Sequence, residues 1–232
     1  AWRAPAIQPH TAILANDLPS RYSSDNSLTA PLNWTYAANF HGKDMPYVLY
    51  YTAIRMDHLS GLRPGHPIVQ NYHAAVFHGS TTDVLALYYQ PPGCVHILDP
   101  EVDPNNSTIP ALLRQAAAIS DPARLVLPVL DGESAHPVEE IFGREPAHGW
   151  CYYYERAELA RQQEDWGEVV NIAGKAYGSG DYPNDPVERF PFIEGYAHTG
   201  NWGDAVAQSG EAAAVTPLIQ PALCRLWDRI GR

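Results

Sequence analysis

The sequence predicts an α+β or α/β protein in which a mixed β-sheet layer precedes an array of helical hairpins. Short runs rich in β-branched and aromatic residues lie in the first half of the chain. Small and large apolar residues recur at helical spacing in the last third. We therefore expect a mixed α/β domain at residues 1–120, a connector rich in Pro, Gly and acidic residues at 121–149, and a helical domain at 150–232.

Composition limits the functions that the chain can have. The 232 residues are 45% hydrophobic, which is enough to build a core. The formal net charge is −11, and Lys and Arg form no cluster that would neutralise a line of phosphates. We therefore expect no nucleic-acid partner. No apolar run approaches the roughly 20 residues that a membrane-spanning helix needs.

A βαβ unit is predicted at the N-terminal end. An apolar run at residues 12–16 indicates a buried strand, and a run rich in Tyr and Val at 47–54 indicates a second one. Between them, Ser24 and Asp25 can cap a helix, provided that Pro31 falls in its first turns. Strands joined by a helix pair in parallel by default.

A β-meander and a short helix are expected next. The strand-like runs lie at residues 68–77, 84–89 and 95–98, with turn residues at 78–82 and 90–93. A helix is predicted at 109–119, capped from within residues 105–108.

An acidic loop precedes that helix, and its carboxylates alternate along the chain at Asp99, Glu101 and Asp103. Such oxygens could converge on calcium, but an EF-hand loop needs Gly at its sixth place and Glu at its twelfth. Pro104 and Pro110 stand there. We therefore expect a solvated acidic turn.

Two copies of a helical-hairpin pattern align in the last third of the chain. The expected packing positions are Ala157, Ala160, Trp166 and Val169 in the first copy, and Tyr196, Gly200, Trp202, Ala205 and Pro217 in the second. The two tryptophans are 36 residues apart. Gly200 and Asn201 predict the turn of the second hairpin, whereas the first has Glu164 and Asp165 before its tryptophan. A terminal capping helix is predicted at 221–230.

This pattern resembles the tetratricopeptide repeat (TPR). The resemblance implies a right-handed stack of helical hairpins with a concave face for a partner. Because two repeats and a cap are fewer than the three that usually stand alone, we expect the array to pack against the α/β part.

The whole chain is also similar to the extracytoplasmic tail domains of uncharacterised bacterial polytopic membrane proteins, some of them glycosyltransferase-like. This similarity implies a location on the extracytoplasmic face of a bacterial membrane. The first residue is Ala1 and no apolar leader precedes it, so we expect the chain to be an excised piece or a processed product.

Common catalytic and metal-binding motifs do not occur in the sequence. It contains no Gly-x-Gly-x-x-Gly after a strand, no phosphate-binding Gly-rich loop with Lys, and no His-Glu-x-x-His. The ten histidines are scattered. We therefore expect no catalytic residue, no metal and no cofactor. The three cysteines have no Cys-x-x-Cys spacing, and a Cys151–Cys224 disulfide is left open.

The most suggestive polar segment is the 16–26 loop, which we define by the candidate ligand-binding residues Asn16, Asp17, Arg21, Asp25 and Asn26. Loops at the carboxyl ends of parallel strands often gather ligands. Helix capping is the alternative role for these side chains.

We expect the chain to be a non-catalytic accessory or interaction domain. Its expected partner is a membrane-embedded region of the same protein or another protein. The first alternative is a carbohydrate-binding or glycosyltransferase-associated domain that uses the 16–26 loop and nearby tyrosines. The second is a soluble TPR-type protein-binding scaffold, for which a cytoplasmic location is the alternative.

Overall fold

The computed structural model describes residues 6–19, 24–55, 62–126, 139, 143–144 and 147–232. It has mixed sheets in the first half and an array of helices in the second, which confirms the predicted α+β fold. The strands are β1 Ala6–Ile7, β2 Thr11–Ala15, β3 Asp44–Met45, β4 Tyr47–Tyr51, β5 Pro67–Asn71, β6 Val76–Ser80, β7 Val84–Tyr88, β8 His96–Ile97 and β9 Leu125–Val126. The helices of this half are α1 Asp25–Tyr36, α2 Thr52–Arg55 and α3 Ala111–Ala117.

The central sheet has the strand order β4-β2-β7-β8. Strand β2 runs parallel to both β4 and β7, so the predicted parallel βαβ pair is confirmed. Side chains alternate between two apolar clusters, with Leu14 in one and Ile13 in the other. Leu28 of α1 packs against the cluster that contains Ile13, and Leu113 of α3 belongs to the other. The two helices therefore cover opposite faces of the sheet.

The predicted meander is wrong, because residues 68–77 form a hairpin and not one strand. Tyr72 and Ala75 exchange backbone hydrogen bonds of 2.8 and 3.2 Å, which reverses the chain between β5 and β6. Strand β6 then continues through His78, where a turn was expected. The hairpin belongs to a separate sheet with β3, whereas β7 joins the central sheet.

From the sequence, Pro31 was expected in the first turns of α1. In the structure it lies in the interior of the helix. Tertiary hydrogen bonds hold the helix on strand β4 despite the missing N–H. The Asn33 amide donates to the Tyr47 carbonyl oxygen at 2.9 Å and accepts from the Tyr47 N–H at 3.2 Å. Thr29 Oγ1 accepts from the Leu49 N–H at 3.1 Å. The polar edge of β4 is thereby satisfied.

The helix predicted at 109–119 is shorter, since α3 begins after Pro110 and has no side-chain cap. Asn106 was expected among its capping residues. Its side-chain oxygen instead accepts from the backbone N–H of Thr108 at 3.1 Å and from the Thr108 hydroxyl at 2.6 Å. The residues before the helix therefore stabilise their own turn.

The helical array comprises α4 Trp150–Gln162, α5 Trp166–Gly178, α6 Phe190–His198, α7 Trp202–Val215 and α8 Gln220–Ile230. The expected packing residues Ala157, Ala160, Val169 and Ala205 are buried, and Tyr196 is half-buried. Trp202 is 54% exposed, and Pro217 is also exposed, contrary to expectation. Trp166 is covered by His198 of the next hairpin, whereas the ring of Trp202 lies 6.4 Å from that of Trp227 on α8.

A disulfide joins Cys94, in the loop before β8, to Cys151 in the first turn of α4. Their Cα atoms are 5.2 Å apart, and the bond spans 57 residues of sequence. The Cys151–Cys224 alternative is therefore wrong, because Cys224 lies exposed and free on α8 while Cys151 faces the sheet layer. The bond ties the two halves of the chain together.

The beginning of the expected connector belongs to the sheet layer, because β9 pairs antiparallel with β1. Most of the remaining connector lies outside the described residues. Within the described part of the chain, no helix is long and apolar enough to cross a membrane.

Candidate functional site

A buried cluster of charges lies where the sheet layer contacts the helices. We call it the Asp99 network, and its members are Asp99, Glu158, Arg161, Glu194 and Arg229. Arg229 donates from Nη1 to Asp99 at 2.6 Å, and it binds both oxygens of Glu194 at 2.8 and 2.9 Å. Arg161 bonds Glu158 at 3.0 Å and lies 3.5 Å from Asp99. No side chain of the network is more than 19% exposed.

Asp99 and the two arginines of the network remain charged despite their burial. Burial alone would raise the pKa of Asp99, but the guanidiniums of Arg161 and Arg229 outweigh it and lower that pKa to about 2. Burial also opposes the charge of Arg161, whose pKa is nevertheless raised by the carboxylates around it. Three carboxylates face two guanidiniums, so the network has one more acidic than basic group.

The acidic loop at 99–105 is therefore not the solvated turn that its sequence indicated. Asp103 is fully buried, where it accepts from the Asp99 N–H at 2.7 Å and lies 3.1 Å from His96 Nε2. The cause is tertiary, because the helical array covers this loop and supplies its arginines. Among the described residues, no group of three His, Cys, Asp or Glu side chains could hold a metal ion.

Beside the Asp99 network opens a cleft of about 590 Å³, which we call the interface cleft. Six of its lining residues matter here: Pro100 and Asp121 from the sheet layer, and Gln162, Glu164, Trp166 and His198 from the helices. The rings of Trp166 and His198 stack at 4.2 Å and 15° and form an aromatic wall.

Gln162, the last residue of α4, joins the two sides of the cleft. Its Nε2 donates to the carbonyl oxygens of Pro122 and Leu125 at 2.6 and 3.1 Å. Its Oε1 is buried and has no hydrogen-bond partner within the described part of the chain. An unpaired buried acceptor is costly.

The turn between α4 and α5 fixes the aromatic wall. The Glu164 N–H donates to the Arg161 carbonyl at 2.9 Å, and the Asp165 N–H donates to the Ala160 carbonyl at 3.0 Å. The Asp165 side chain then caps α5 by accepting from the Glu168 N–H at 3.0 Å. Trp166 consequently begins α5 in a defined position.

The described candidate residues of the 16–26 loop, Asn16, Asp17 and Asn26, do not line the interface cleft. The Asn16 amide donates to the Tyr89 carbonyl oxygen at 2.7 Å and accepts from the Tyr89 N–H at 2.9 Å, so it joins two strand ends. Asp17 is exposed and accepts from the Leu18 N–H at 2.8 Å. Asn26 is exposed in the first turn of α1. Arg21 and the side chain of Asp25 lie outside the described residues.

The interface cleft and that loop lie at opposite ends of the parallel strands of the central sheet. Asn16 follows the carboxyl end of β2, whereas Asp121 donates its N–H to the carbonyl of Val84 at the start of β7. Trp166 was identified from the repeat pattern and Asp99 from the acidic loop. Gln162 and His198 carried no local signal, because their role comes from segments far apart in sequence.

No family model, curated protein or solved structure matches the chain.

Proposed function

We propose that this chain is a non-catalytic interaction domain that holds a segment of a partner protein in the interface cleft. The observation that carries the proposal is an open cleft of about 590 Å³ with an aromatic wall. Ligand pockets typically measure about 300–1,000 Å³. The Asp99 network and the Cys94–Cys151 disulfide join the two sides, so the cleft is largely pre-formed.

The helical array belongs, in this proposal, to the tetratricopeptide type. Its support is the 36-residue offset between two helix-helix turns with matching backbone hydrogen bonds. Glu158 and Glu194 hold equivalent positions on α4 and α6, and both face the Asp99 network. Because the sheet layer already contacts that face, we place the partner in the interface cleft beside it.

The proposed location is the extracytoplasmic face of a bacterial membrane, where the domain would serve a membrane-embedded region of the same protein or another protein. The Cys94–Cys151 disulfide supports this location, because disulfides persist in oxidising compartments. Cys224 is exposed and free, so it can report on the compartment. A membrane-impermeant maleimide should label Cys224 in intact spheroplasts. Labelling that requires lysis would place the domain in the cytoplasm.

Carbohydrate binding is a second candidate, favoured by one observation. The stacked rings of Trp166 and His198 form a flat surface of the kind on which sugar rings pack. This candidate shares the interface cleft with the first and differs from it in ligand chemistry.

In-cell photo-crosslinking tests the proposed function. A photoreactive amino acid replaces Glu164 at the rim of the interface cleft, and in a matched strain it replaces Asp17 of the 16–26 loop. Both positions are exposed and acidic. We expect a protein crosslink from position 164 and none from position 17. Crosslinks from position 17 alone, or none from position 164, would overturn the proposal.

A further inference from the structure

The hydrogen-bonding groups that the interface cleft offers are mostly acceptors. The guanidiniums of Arg161 and Arg229 donate to carboxylates of the Asp99 network. The amide nitrogen of Gln162 donates to two backbone carbonyls. The Asp121 and Glu164 carboxylates also line the cleft. The remaining side-chain donors of the wall are the indole and imidazole nitrogens.

Carboxylates outnumber guanidiniums around the cleft. The Asp99 network contributes an excess of one carboxylate, and Asp121 and Glu164 add two further negative charges at the cleft. The whole chain has a formal net charge of −11. A cleft with an excess of one sign attracts ligands of the opposite sign and repels those of its own. Anionic ligands are therefore disfavoured.

The aromatic wall suits a planar cation. Trp166 and His198 are stacked within 15° of parallel, and both line the cleft. Guanidinium groups stack on aromatic rings and interact with their faces as cations. The wall can thus contact the apolar stem and the planar head of the same side chain.

We propose that the interface cleft binds arginine side chains of the partner segment. This inference rests on the proposed function and adds the chemistry of the ligand. A guanidinium has five N–H donors and no acceptor, so it matches an acceptor-rich, negatively charged cleft with a flat wall. A sugar hydroxyl both donates and accepts, and most of the strong donors of this cleft are already used.

Calorimetric titration of the whole purified chain tests the inference. The probe is an acetylated, amidated peptide with two arginines between glycines, and its control carries citrulline in place of both arginines. Citrulline keeps the shape of arginine without its charge. We expect the arginine peptide to bind about tenfold more tightly, which corresponds to about 1.4 kcal/mol. Equal affinity of the two peptides, or binding only of a neutral chitin trisaccharide, would overturn the inference.

Charge-removing variants locate the binding. Glu164→Gln and Asp121→Asn should each weaken the arginine peptide about threefold to fivefold, as expected for partly exposed ion pairs. Asp17→Asn removes the same charge from the 16–26 loop, and we expect it to leave affinity unchanged. A loss confined to Asp17→Asn would contradict the inference. Crosslinking from position 164 without arginine binding would overturn only the ligand chemistry, whereas failure of both experiments would remove the proposed function as well.

Discussion

Glu164 and Gly200 occupy the same position in the turns of two successive helical hairpins, and both have positive φ, 58° and 80°. The Asp165 N–H donates to the Ala160 carbonyl just as the Asn201 N–H donates to the Tyr196 carbonyl. The left-handed region is comfortable for glycine and strained for a residue with a Cβ. The first turn thus has the same backbone as the second but not its favoured residue.

Replacing Glu164 by Gly should stabilise the chain. Removing the left-handed strain is expected to raise the free energy of unfolding by about 1 kcal/mol. Urea denaturation measures the change. Gly200→Ala should lower the free energy of unfolding by a similar amount, and Glu164→Gln should leave it unchanged. If Glu164→Gly did not stabilise, the matching geometry of the two turns would be wrong.

Gly195 allows α6 to approach α5 closely. A Cβ at this position would lie 2.5 Å from Val169 Cγ1, so Gly195→Ala should lower the free energy of unfolding by about 1–3 kcal/mol through overpacking. Gly174 on α5 provides the control, because a Cβ there meets nothing within 4 Å. Gly174→Ala should be neutral or stabilising. A Val169→Ala change should recover part of the loss, and equal effects of the two glycine variants would contradict the packing.

Stability should fall in acid because of Asp99. Its pKa is lowered from 3.8 to about 2, so its contribution is present above pH 3.8 and is lost as pH falls towards 2. The linked free energy is about 2 kcal/mol. Burial raises the pKa values of Asp185 and Glu188, so these two groups change stability in the opposite direction.

The Asp99→Asn variant isolates this contribution. At pH 7 it should lower the free energy of unfolding by about 3 kcal/mol, because it leaves Arg229 without one of its buried partners. The difference from the unmodified chain should shrink as pH falls from 4 to 2. Denaturation series at several pH values measure it. A difference that stayed constant with pH would show that Asp99 is not ionised next to the arginines.

Loss of the disulfide should be strongly destabilising. Cys94 and Cys151 are separated by 57 residues, and closing a loop of that length contributes about 4 kcal/mol in the chain-entropy model. The variant with Ser at both positions should therefore unfold at a lower urea concentration. Cys224→Ser should have no effect. If Cys224→Ser destabilised the chain as much, Cys151 would be bonded to Cys224.

Elements that depend on local sequence were predictable. Strands β2 and β4 are fully buried, so their apolar residues appear as continuous runs in the sequence. The helical hairpins were visible because Trp166 and Trp202 mark a repeat. Each tryptophan begins a helix in the structure, although Trp202 is largely exposed.

Features that depend on distant partners were not predictable. Asp99 appeared to belong to a solvated loop because Arg229 lies 130 residues away. The pairing of Cys94 with Cys151 depends on how α4 meets the sheet layer. The interface cleft is likewise assembled from segments around residues 100, 121, 162 and 198, and no single stretch of sequence contains it.

Chemical footprinting of His198 tests most directly the claim that the interface cleft holds a partner. Diethyl pyrocarbonate modifies accessible imidazoles, and mass spectrometry measures the rate at each histidine. His198 lines the cleft and is exposed. The control, His41, is also exposed and is not among the residues that line the cleft. We expect modification of His198 to be slower in native cell envelopes than in the purified chain, with His41 unchanged. Equal rates at His198 in both preparations would contradict the claim.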